Sequence, residues 1–282
     1  MRVAVTGAAG KIGRHAVAAL KRAGHSVVGF DLRPGLVEGA RVAACDCTDF
    51  GAVMGALSGV DSMGGAFDAV VHMAGIPMPG LAADHTTFTA NTVSTYNVFS
   101  ACARLKIPRI AWGSSETIFG LPFATPPEAV PLDETSPDRP EWSYALSKKL
   151  GEEMAEHFVR WSPGLTIVSL RFSNVYDASD YTARAAIVAN PMLRRGNLWS
   201  YVDARDAGEA CRLALEADLS GHERLVIAAD ETVVDVPTRE LLAAYFPEVP
   251  LRAPLEGTQS LLSSRRAQER IGFRPVHGWR SP

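Results

Sequence analysis

The sequence has few cysteines and no long apolar run, and each absence narrows the class of protein. Four cysteines in 282 residues are too few for a fold held together by disulfides. Cys45 and Cys47 have no second pair of ligands nearby that would complete a metal site, and we expect reduced, mostly buried thiols. No apolar run is long enough to cross a bilayer, and a strand pattern starting at residue 2 leaves no room for a leader. The sequence therefore predicts a cytoplasmic protein with neither a metal ion nor a membrane contact.

The sequence also lacks a large excess of either positive or negative charge. The 28 basic and 31 acidic residues leave a net charge of −3, and no basic stretch offers a surface for phosphates of a nucleic acid. We therefore expect no nucleic-acid partner. The 47% hydrophobic content is enough for the core of one large domain or two modest ones.

Short β-branched strands alternate with helical patterns over residues 1–172. This alternation predicts βαβ units and an α/β fold with a Rossmann-type, doubly wound parallel sheet. The predicted strands are Val3–Thr6, Val27–Phe30, Arg41–Ala44, Ala69–His72, Arg109–Trp112 and Leu165–Arg171. The predicted helices are Lys11–Ala23, Phe50–Leu57, Asp84–Leu105 and Trp142–Arg160.

The order of elements changes after residue 172. An irregular stretch reaches Ser200, and we then expect helices at Asp203–Ala217, Thr238–Tyr245 and Arg265–Ile271 and a strand at Arg224–Ala228. These features predict a division into a dinucleotide-binding domain, residues 1–172, and a smaller α/β substrate lobe, residues 173–282, partly interleaved with it. The Pro-rich segment 122–140 lies just before the helix that carries Tyr144, where loops of parallel sheets bind ligands.

A glycine-rich turn joins the first strand to the first helix. Gly7 permits the tight turn, Gly10 allows a pyrophosphate to approach the backbone, and Gly13 allows the helix to pack closely on the strand. The start of that helix presents free N–H groups and the positive end of its dipole to phosphates. The turn therefore predicts a dinucleotide site.

Asp31 ends the second strand, 18 residues after Gly13. A carboxylate at this spacing hydrogen-bonds the adenosine ribose hydroxyls and would repel a 2′-phosphate. Arg33 could partly offset that repulsion. We therefore expect NAD, with NADP as the less favoured cofactor.

Three segments together carry a family resemblance: Thr6 to Gly13, Cys45 to Asp49 and Val70 to Gly75. They resemble the extended short-chain dehydrogenase/reductases, the family of sugar-nucleotide epimerases and dehydratases. In that family the residue at Asp46 contacts the adenine amine and the segment ending at Gly75 lines the cofactor, which leaves His72 as a packed strand residue. The implied cofactor contacts are Gly7, Ala9, Gly10, Lys11, Ile12, Gly13, Asp31, Leu32, Arg33, Asp46, Cys47, Met73, Ala74, Gly75, Asn91, Tyr144 and Lys148. For Asn91, on the long helix, an ordinary surface position is the open alternative.

Tyr144 and Lys148 lie four apart on a predicted helix and so share one face. Removing a hydride from a carbinol requires a base for its hydroxyl proton. Lowering a tyrosine pKa from about 10 to about 7 takes roughly 4 kcal/mol. One cation at ~4 Å in an effective dielectric near 20 supplies about that much. We therefore expect Tyr144 to be the base and Lys148 to lower its pKa.

The segment from Gly113 to Gly120 follows a strand and resembles the family's Ser-Ser-x-x-x-Tyr-Gly signature. The resemblance gives Ser115 the role of hydrogen-bonding the reacting oxygen, and Phe119 stands where the family has tyrosine. Glu116 occupies the first position of the Asp-Glu pair of sugar dehydratases, but Thr117 replaces the second carboxylate. We hypothesise that Glu116 contacts a substrate hydroxyl or acts alone as an acid/base, the alternative being a capping or solvated residue.

Candidate substrate residues are fewer. The stretch from Leu170 to Tyr176 resembles a family segment whose asparagine touches sugar-nucleotide phosphates, which points to Asn174. Trp199 stands where that family places a phosphate-binding arginine, and a neutral indole cannot replace a guanidinium. Arg194 or Arg195 could substitute from nearby, and Ile76 completes the candidate set.

The short stretch between Tyr176 and Trp199 resembles the uronate dehydrogenases, small family members that oxidise a free sugar acid. The resemblance implies an NAD-dependent dehydrogenase for a secondary alcohol of a sugar or sugar derivative, in a homodimer formed through the helices near residues 84–105 and 142–160. The alternatives are a sugar-nucleotide 4-epimerase that retains its NAD and, more remotely, a catalytically silent NAD(H)-binding regulator.

Overall fold

A mostly parallel sheet of eight strands forms the centre of the molecule, which we describe from a computed structural model over residues 1–59 and 65–280. Two further strands pair with each other outside that sheet. The strands are β1 (Arg2–Thr6), β2 (Ser26–Asp31), β3 (Gly35–Val37), β4 (Ala40–Ala44), β5 (Ala69–His72), β6 (Arg109–Ser115), β7 (Thr166–Phe172), β8 (Val175–Tyr176), β9 (Val202–Asp203) and β10 (Gly221–Ile227).

Helices cover both faces of this sheet, because its strands are apolar on both sides. They are α1 (Lys11–Arg22), α2 (Phe50–Ser58), α3 (Asp84–Leu105), α4 (Ser143–Trp161), α5 (Arg184–Ala189), α6 (Ala204–Glu216), α7 (Thr238–Tyr245) and α8 (Arg265–Ile271). One core cluster joins the sheet to α1, α6 and α8, and a second joins it to α2, α3 and α4.

The strand order is β10-β7-β6-β5-β1-β2-β4-β3. Every pairing is parallel except that of the edge strand β3 with β4. The chain moves outward from β1 to β2 and later returns to β5 on the other side of β1, so the strand order reverses there. Ligands of open α/β sheets bind in the crevice outside the carboxyl ends at such a reversal. A ligand of this sheet is therefore expected beside the ends of β1, β5 and β6, at Thr6, His72 and Ser115.

The predicted α/β class and doubly wound sheet are confirmed, and most predicted elements lie within a few residues of their observed bounds. The elements that the periodicity did not predict are short: β3, β8, β9 and α5. β10 pairs in parallel with β7 over seven positions, and α6 packs on α1. Both elements belong to the predicted second lobe but pack against the first domain, which is the predicted interleaving of the two parts. The domain boundary at residue 172 stays a proposal.

A third core cluster has buried members within residues 119–132 and 176–262, and the part of the molecule that it holds together is called the outer lobe. It combines the segment after β6, the turn before β9 and α7, with Phe119, Leu121, Trp199, Tyr201 and Leu241 among its buried members. This cluster lies over the carboxyl end of the sheet because Phe119 and Leu121 directly follow β6. Within the two described ranges, no helix is both long and apolar enough to span a bilayer.

Candidate active site

The glycine turn after β1 leaves no room for side chains. Gly7 has φ +66°, and a Cβ there would lie 2.6 Å from the backbone nitrogen of Ala74. A Cβ on Gly13 would lie 2.0 Å from the carbonyl oxygen of Gly7. The backbone of the turn therefore touches both α1 and the end of β5. A diphosphate fits such a cradle because the glycines of the turn leave the backbone N–H groups at the start of α1 uncovered by side chains.

Asp31 lies directly beside the turn. Its Oδ2 accepts a hydrogen bond from the backbone N–H of Ala9 at 2.9 Å, and its Oδ1 accepts one from Leu32 at 2.8 Å. Leu32 and Arg33 are exposed. The carboxylate thus lies at the carboxyl end of β2, where the sequence predicts the ribose contact, and it also holds the glycine turn in place.

The segment after β4 forms a tight turn around Asp46. Its Oδ1 accepts from the N–H and the hydroxyl of Thr48, at 2.9 and 2.8 Å. Asn97 of α3, which sequence reasoning missed, donates to the carbonyl oxygens of Cys47 and Thr48, at 3.0 Å each. A hydrogen bond with Cys45 and burial raise the pKa of the Cys47 thiol, and all four cysteines are free and buried, as expected.

Asn91 is buried in α3 and its amide is engaged by the chain. Its Oδ1 accepts from the N–H of Ile76 at 2.8 Å and its Nδ2 donates to the carbonyl oxygen of the same residue at 3.1 Å. A Cβ on Gly75 would lie 2.9 Å from that Oδ1. The surface alternative for Asn91 is therefore wrong, and the side chain positions the segment Met73–Ile76 at the end of β5.

Two cations of α1 reach across to the outer lobe. Lys11 Nζ donates to the carbonyl oxygen of Val175 at 3.3 Å and forms an ion pair with Asp180. Arg14 pairs with Asp177 at 2.7 Å. The ammonium of Lys11 is thus occupied by protein groups, which leaves its predicted cofactor contact to the backbone N–H. The neighbouring Ile12 packs partly against the core.

Ser115, Tyr144 and Lys148 come together at the carboxyl end of β6. The Ser115 hydroxyl hydrogen-bonds the phenol of Tyr144, and it accepts from the N–H and hydroxyl of Thr117, at 3.2 and 3.1 Å. Lys148 Nζ donates to the carbonyl oxygen of Gly113 at 2.6 Å and lies 5.6 Å from the centre of the Tyr144 ring. The three side chains predicted to act together are therefore neighbours.

The electrostatics of the tyrosine differ from the expectation. Burial raises the pKa of Tyr144 to about 12, the hydrogen bond from Ser115 opposes this, and the nearby Glu116 adds to it. Burial also lowers the pKa of Lys148 to about 8. We expected Lys148 to bring the tyrosine pKa toward neutrality. Lys148 is not among the groups that shift this pKa: its ammonium donates to Gly113 and lies over the rings of Trp112 and Tyr144, so its effect on the tyrosine stays a prediction.

A buried ion pair fixes α4 against the sheet. Glu152 Oε1 accepts from the hydroxyl of Ser114 at 2.7 Å and from Nε of Arg171 at 2.9 Å, and Asp138 lies 3.0 Å from the same guanidinium. Glu152 is one turn beyond Lys148 on the buried face of α4. Tyr144, Lys148 and Glu152 follow one another at intervals of four residues, and this spacing could have indicated from the sequence that Glu152 lies on the same helix face.

Glu116 is only 3% exposed, so the solvated alternative is wrong. Its Oε2 accepts from the hydroxyl of Ser173 at 2.6 Å, and its Oε1 accepts from Nδ2 of Asn197 at 2.9 Å. Burial raises the pKa of Glu116 to about 7, while Ser173, Asn197, Arg194 and the backbone of Asn174 stabilise its charged form. The carboxyl lies close enough to Tyr144 to raise the pKa of that phenol.

Arg194 lies beside this carboxyl. With its amide oxygen turned toward the guanidinium, Asn174 accepts from Nη1 of Arg194 at 3.2 Å. The Arg195 guanidinium lies over the ring of Phe246 at 4.8 Å. Of the two arginines predicted as substitutes, Arg194 joins the network of Glu116 and Asn174, and Arg195 packs against Phe246, the residue after α7.

Trp199 does not face a ligand cleft. It is fully buried in the outer-lobe core, its indole N–H donates to the carbonyl oxygen of Pro191 at 2.7 Å, and its ring packs on Tyr245 and Phe246. The predicted substrate contact of Trp199 is therefore wrong for this structure. The indole instead forms part of the core of the outer lobe.

Sequence comparison matches residues 3–228 to the family described as the NAD dependent epimerase/dehydratase family. An L-arabinose 1-dehydrogenase (NAD(P)(+)) of Haloferax volcanii is 30% identical over 226 residues, covering 77% of this chain and 84% of that protein. A uronate dehydrogenase of Pseudomonas syringae is 29% identical, covering 62% of this chain and 60% of the relative. The UDP-glucuronate 4-epimerase 4 of Arabidopsis thaliana is 32% identical, and the match covers 62% of this chain but only 41% of that enzyme.

Solved structures show the same fold over nearly the whole chain. A short-chain dehydrogenase/reductase superfamily protein from Agrobacterium tumefaciens with bound NAD has a TM-score of 0.75, 24% identity, and coverage of 99% of this chain and 94% of its own. A UDP-galactose 4-epimerase has a TM-score of 0.70, 25% identity and coverage of 98% and 94%.

Proposed function

Because the chain belongs to the NAD-dependent epimerase/dehydratase family, whose match covers residues 3–228, we propose that it is an NAD-dependent dehydrogenase of a free sugar. The observation that carries this proposal is the convergence of Ser115, Tyr144 and Lys148 at the carboxyl end of β6. The reaction is oxidation of a secondary alcohol of the sugar.

The glycine turn and the carboxyl ends of β2 and β5 fit NAD. The start of α1 would hold the diphosphate, Asp31 would accept from the adenosine ribose, and Asp46 would face the adenine. Met73 to Gly75, positioned by Asn91, would line the other half of the cofactor. When bound, NAD supplies the acceptor for the hydride that leaves the sugar carbon.

The protein's own groups handle the proton. Ser115 Oγ holds the sugar hydroxyl beside Tyr144 Oη, which takes its proton as the carbon is oxidised. With a pKa of about 12, Tyr144 needs positive charge nearby to ionise at neutral pH. Lys148 is the cation on its own helix face, and turning Nζ from Gly113 toward the tyrosine would supply that charge.

The relatives include both dehydrogenases and epimerases, and each group supports one of the two candidate functions of this site. The arabinose dehydrogenase matches over the larger share of both chains, which supports a net dehydrogenase. The alternative is a 4-epimerase that retains its NAD, supported by the epimerase relatives. A net dehydrogenase releases one NADH for each sugar oxidised, whereas an epimerase produces no free NADH.

The test is to incubate the protein with stoichiometric NAD and a panel of free and nucleotide-linked sugars while measuring free NADH and the sugar products. We expect NADH release with a free sugar. Interconversion of sugars without NADH would establish the epimerase instead. NAD binding with no reaction on any sugar would favour the remote alternative of an NAD(H)-binding regulator.

We further propose that the protein is a cytoplasmic homodimer. Helices α3 and α4 carry exposed apolar side chains on neighbouring surfaces, with Tyr96 48%, Leu146 41% and Trp161 58% exposed. Edge-to-face contacts of Phe158 with Tyr96 and Trp161 make this surface aromatic. We expect Trp161→Glu to convert a dimer to a monomer in sedimentation experiments, and a wild-type monomer would refute the assembly. Free thiols support the cytoplasmic location.

A further inference from the structure

The hydroxyl of Ser115 is held in place by one neighbouring residue, Thr117. Ser115 caps the 3₁₀ helix Glu116–Phe119, and its Oγ accepts from the backbone N–H of Thr117 at 3.2 Å. The side-chain hydroxyl of Thr117 donates to the same oxygen at 3.1 Å. Both residues are buried. Two donors from one residue therefore converge on the oxygen of the proposed catalytic serine.

These two bonds determine how Ser115 uses its own proton. A serine hydroxyl has two acceptor lone pairs and one O–H donor. Because the two donors of Thr117 fill both lone pairs, the O–H is the group that remains for a partner in the cleft. That partner is the phenol of Tyr144, and the bond lowers the pKa of Tyr144. A hydrogen bond that lowers this pKa stabilises the ionised phenolate, so Ser115 is the donor in it.

The direction of this bond is important because other influences on the phenol oppose its ionisation. Burial and the nearby Glu116 both raise the pKa of Tyr144, whereas the bond from Ser115 lowers it. If Ser115 instead accepted from the phenol, the neutral form would be stabilised and the pKa would rise. The backbone N–H of Thr117 alone would leave a lone pair free for that reversed bond, and the Thr117 hydroxyl fills it.

We propose that Thr117 is a positioning residue for the proton step: its hydroxyl makes Ser115 a hydrogen-bond donor toward the phenol oxygen of Tyr144 and toward the sugar oxygen. The inference rests on the proposed dehydrogenase function and adds a residue that acts through Ser115. As the proton of the sugar hydroxyl passes to the phenolate, the sugar oxygen gains negative charge, which an O–H donor stabilises.

The experiment removes the hydroxyl of Thr117 and keeps the shape of the side chain. Thr117→Val retains the branched side chain and the backbone N–H, and Thr117→Ser restores a hydroxyl. The pH dependence of kcat/KM is measured for each protein with a sugar that the wild type oxidises. Glu116 and Lys148, the titratable side chains beside the phenol in the described ranges, are common to all three proteins. Thermal unfolding with and without NADH establishes that each variant is folded.

In Thr117→Val we expect the apparent pKa of the base to rise by about one pH unit and kcat/KM at neutral pH to fall by about tenfold, mainly through kcat. Thr117→Ser should have values close to those of the wild type. In a Ser115→Ala background, Thr117→Val should cause no further loss, because its effect passes through that serine. A folded Thr117→Val with a wild-type profile overturns the inference, and so does an equal loss in the Ser115→Ala background.

A titration that needs no sugar distinguishes failure of this inference from failure of the proposed function. With NAD bound, the phenol of Tyr144 is titrated by ultraviolet difference absorbance between each protein and the same protein carrying Tyr144→Phe. We expect a higher midpoint in Thr117→Val than in the wild type. An equal midpoint overturns the inference. A higher midpoint in a protein that oxidises no sugar supports the direction of the Ser115 bond and overturns the proposed function.

Discussion

Glu152 of α4 and Arg171 of β7 form a two-point ion pair in which each side chain is only 1% exposed. Nε and Nη2 of the arginine lie 2.9 and 2.7 Å from the two carboxylate oxygens. The pair joins the helix of Tyr144 and Lys148 to the sheet beside Ser115, because Ser114 donates to the same carboxylate. The relative position of Ser115, Tyr144 and Lys148, the proposed catalytic residues, therefore depends on this buried contact.

Removing only one of the two charged side chains is expected to destabilise the fold. Glu152→Leu leaves the guanidinium buried with Asp138 as its remaining anion, and we expect a loss of about 3–5 kcal/mol in the free energy of unfolding. The double variant Glu152→Leu/Arg171→Met removes both charges and should lose clearly less. Urea unfolding measures both, and equal losses in the single and double variants would contradict the assignment.

Removing the tyrosine hydroxyl tests the proton step. Tyr144→Phe deletes the hydroxyl that we propose takes the substrate proton, and we expect kcat to fall by roughly 10²–10⁴-fold. Binding of NADH, followed by fluorescence, should change little because the turn after β1 is untouched. The control is Tyr96→Phe, on the exposed surface of α3. A variant with near wild-type turnover would remove Tyr144 from the mechanism.

Neutralising Asp31 tests the choice of cofactor. Asp31→Asn keeps an oxygen that can accept from the N–H of Ala9 while removing the charge that repels a 2′-phosphate. We expect the ratio of kcat/KM for NADP to that for NAD to rise by about tenfold or more. Asp218→Asn, at an exposed position, serves as the control. An unchanged ratio would place the ribose recognition elsewhere.

A side chain at Gly13 is expected to break the cofactor cradle. The Cβ of Gly13→Ala would lie 2.0 Å from the oxygen of Gly7, so either the turn or α1 must move. We expect NADH affinity to fall by more than about tenfold, together with a lower unfolding temperature. Gly35→Ala is the matched control, because its Cβ meets open space on the edge strand β3. Equal NADH affinity in the two variants would argue against close packing at this turn.

The sequence was sufficient for seven of the eight sheet strands because their signals are local. Apolar runs and helical spacing predicted β5, α3, α7 and α8 with the bounds that the structure has. The strands β8 and β9 have two residues each and are too short for a periodic signal. The edge strand β3 is short and largely exposed, so no apolar alternation indicates it.

The site was predictable only where its residues share one helix or one turn. Tyr144 and Lys148 are one helical turn apart, and Ser115 belongs to a contiguous signature. The partners of Glu116 are Ser173 and Asn197, at separations of 57 and 81 residues, and no local pattern joins them. Trp199 was misassigned because alignment by position cannot tell a cleft residue from a core residue.

The buried carboxyl of Glu116 should also make stability depend on pH. Burial raises its pKa in the folded protein from 4.5 to about 7, despite Arg194 and its hydrogen-bond donors. The folded state therefore binds this proton more tightly than the unfolded state. The resulting stabilisation is complete below pH 4.5 and is lost as the pH rises to about 7.

The measurement is the free energy of unfolding of the wild type and of Glu116→Gln, followed with urea across this pH range. Glu134, Asp206 and Asp230 have pKa values raised in the same direction, so the wild type alone cannot isolate one carboxyl. The difference between the two proteins does so, because the other groups are common to both. We expect the wild type to lose roughly 3 kcal/mol more than the variant as the pH rises through the window. Parallel curves would mean that the carboxyl is ionised in the folded protein throughout, held so by Arg194.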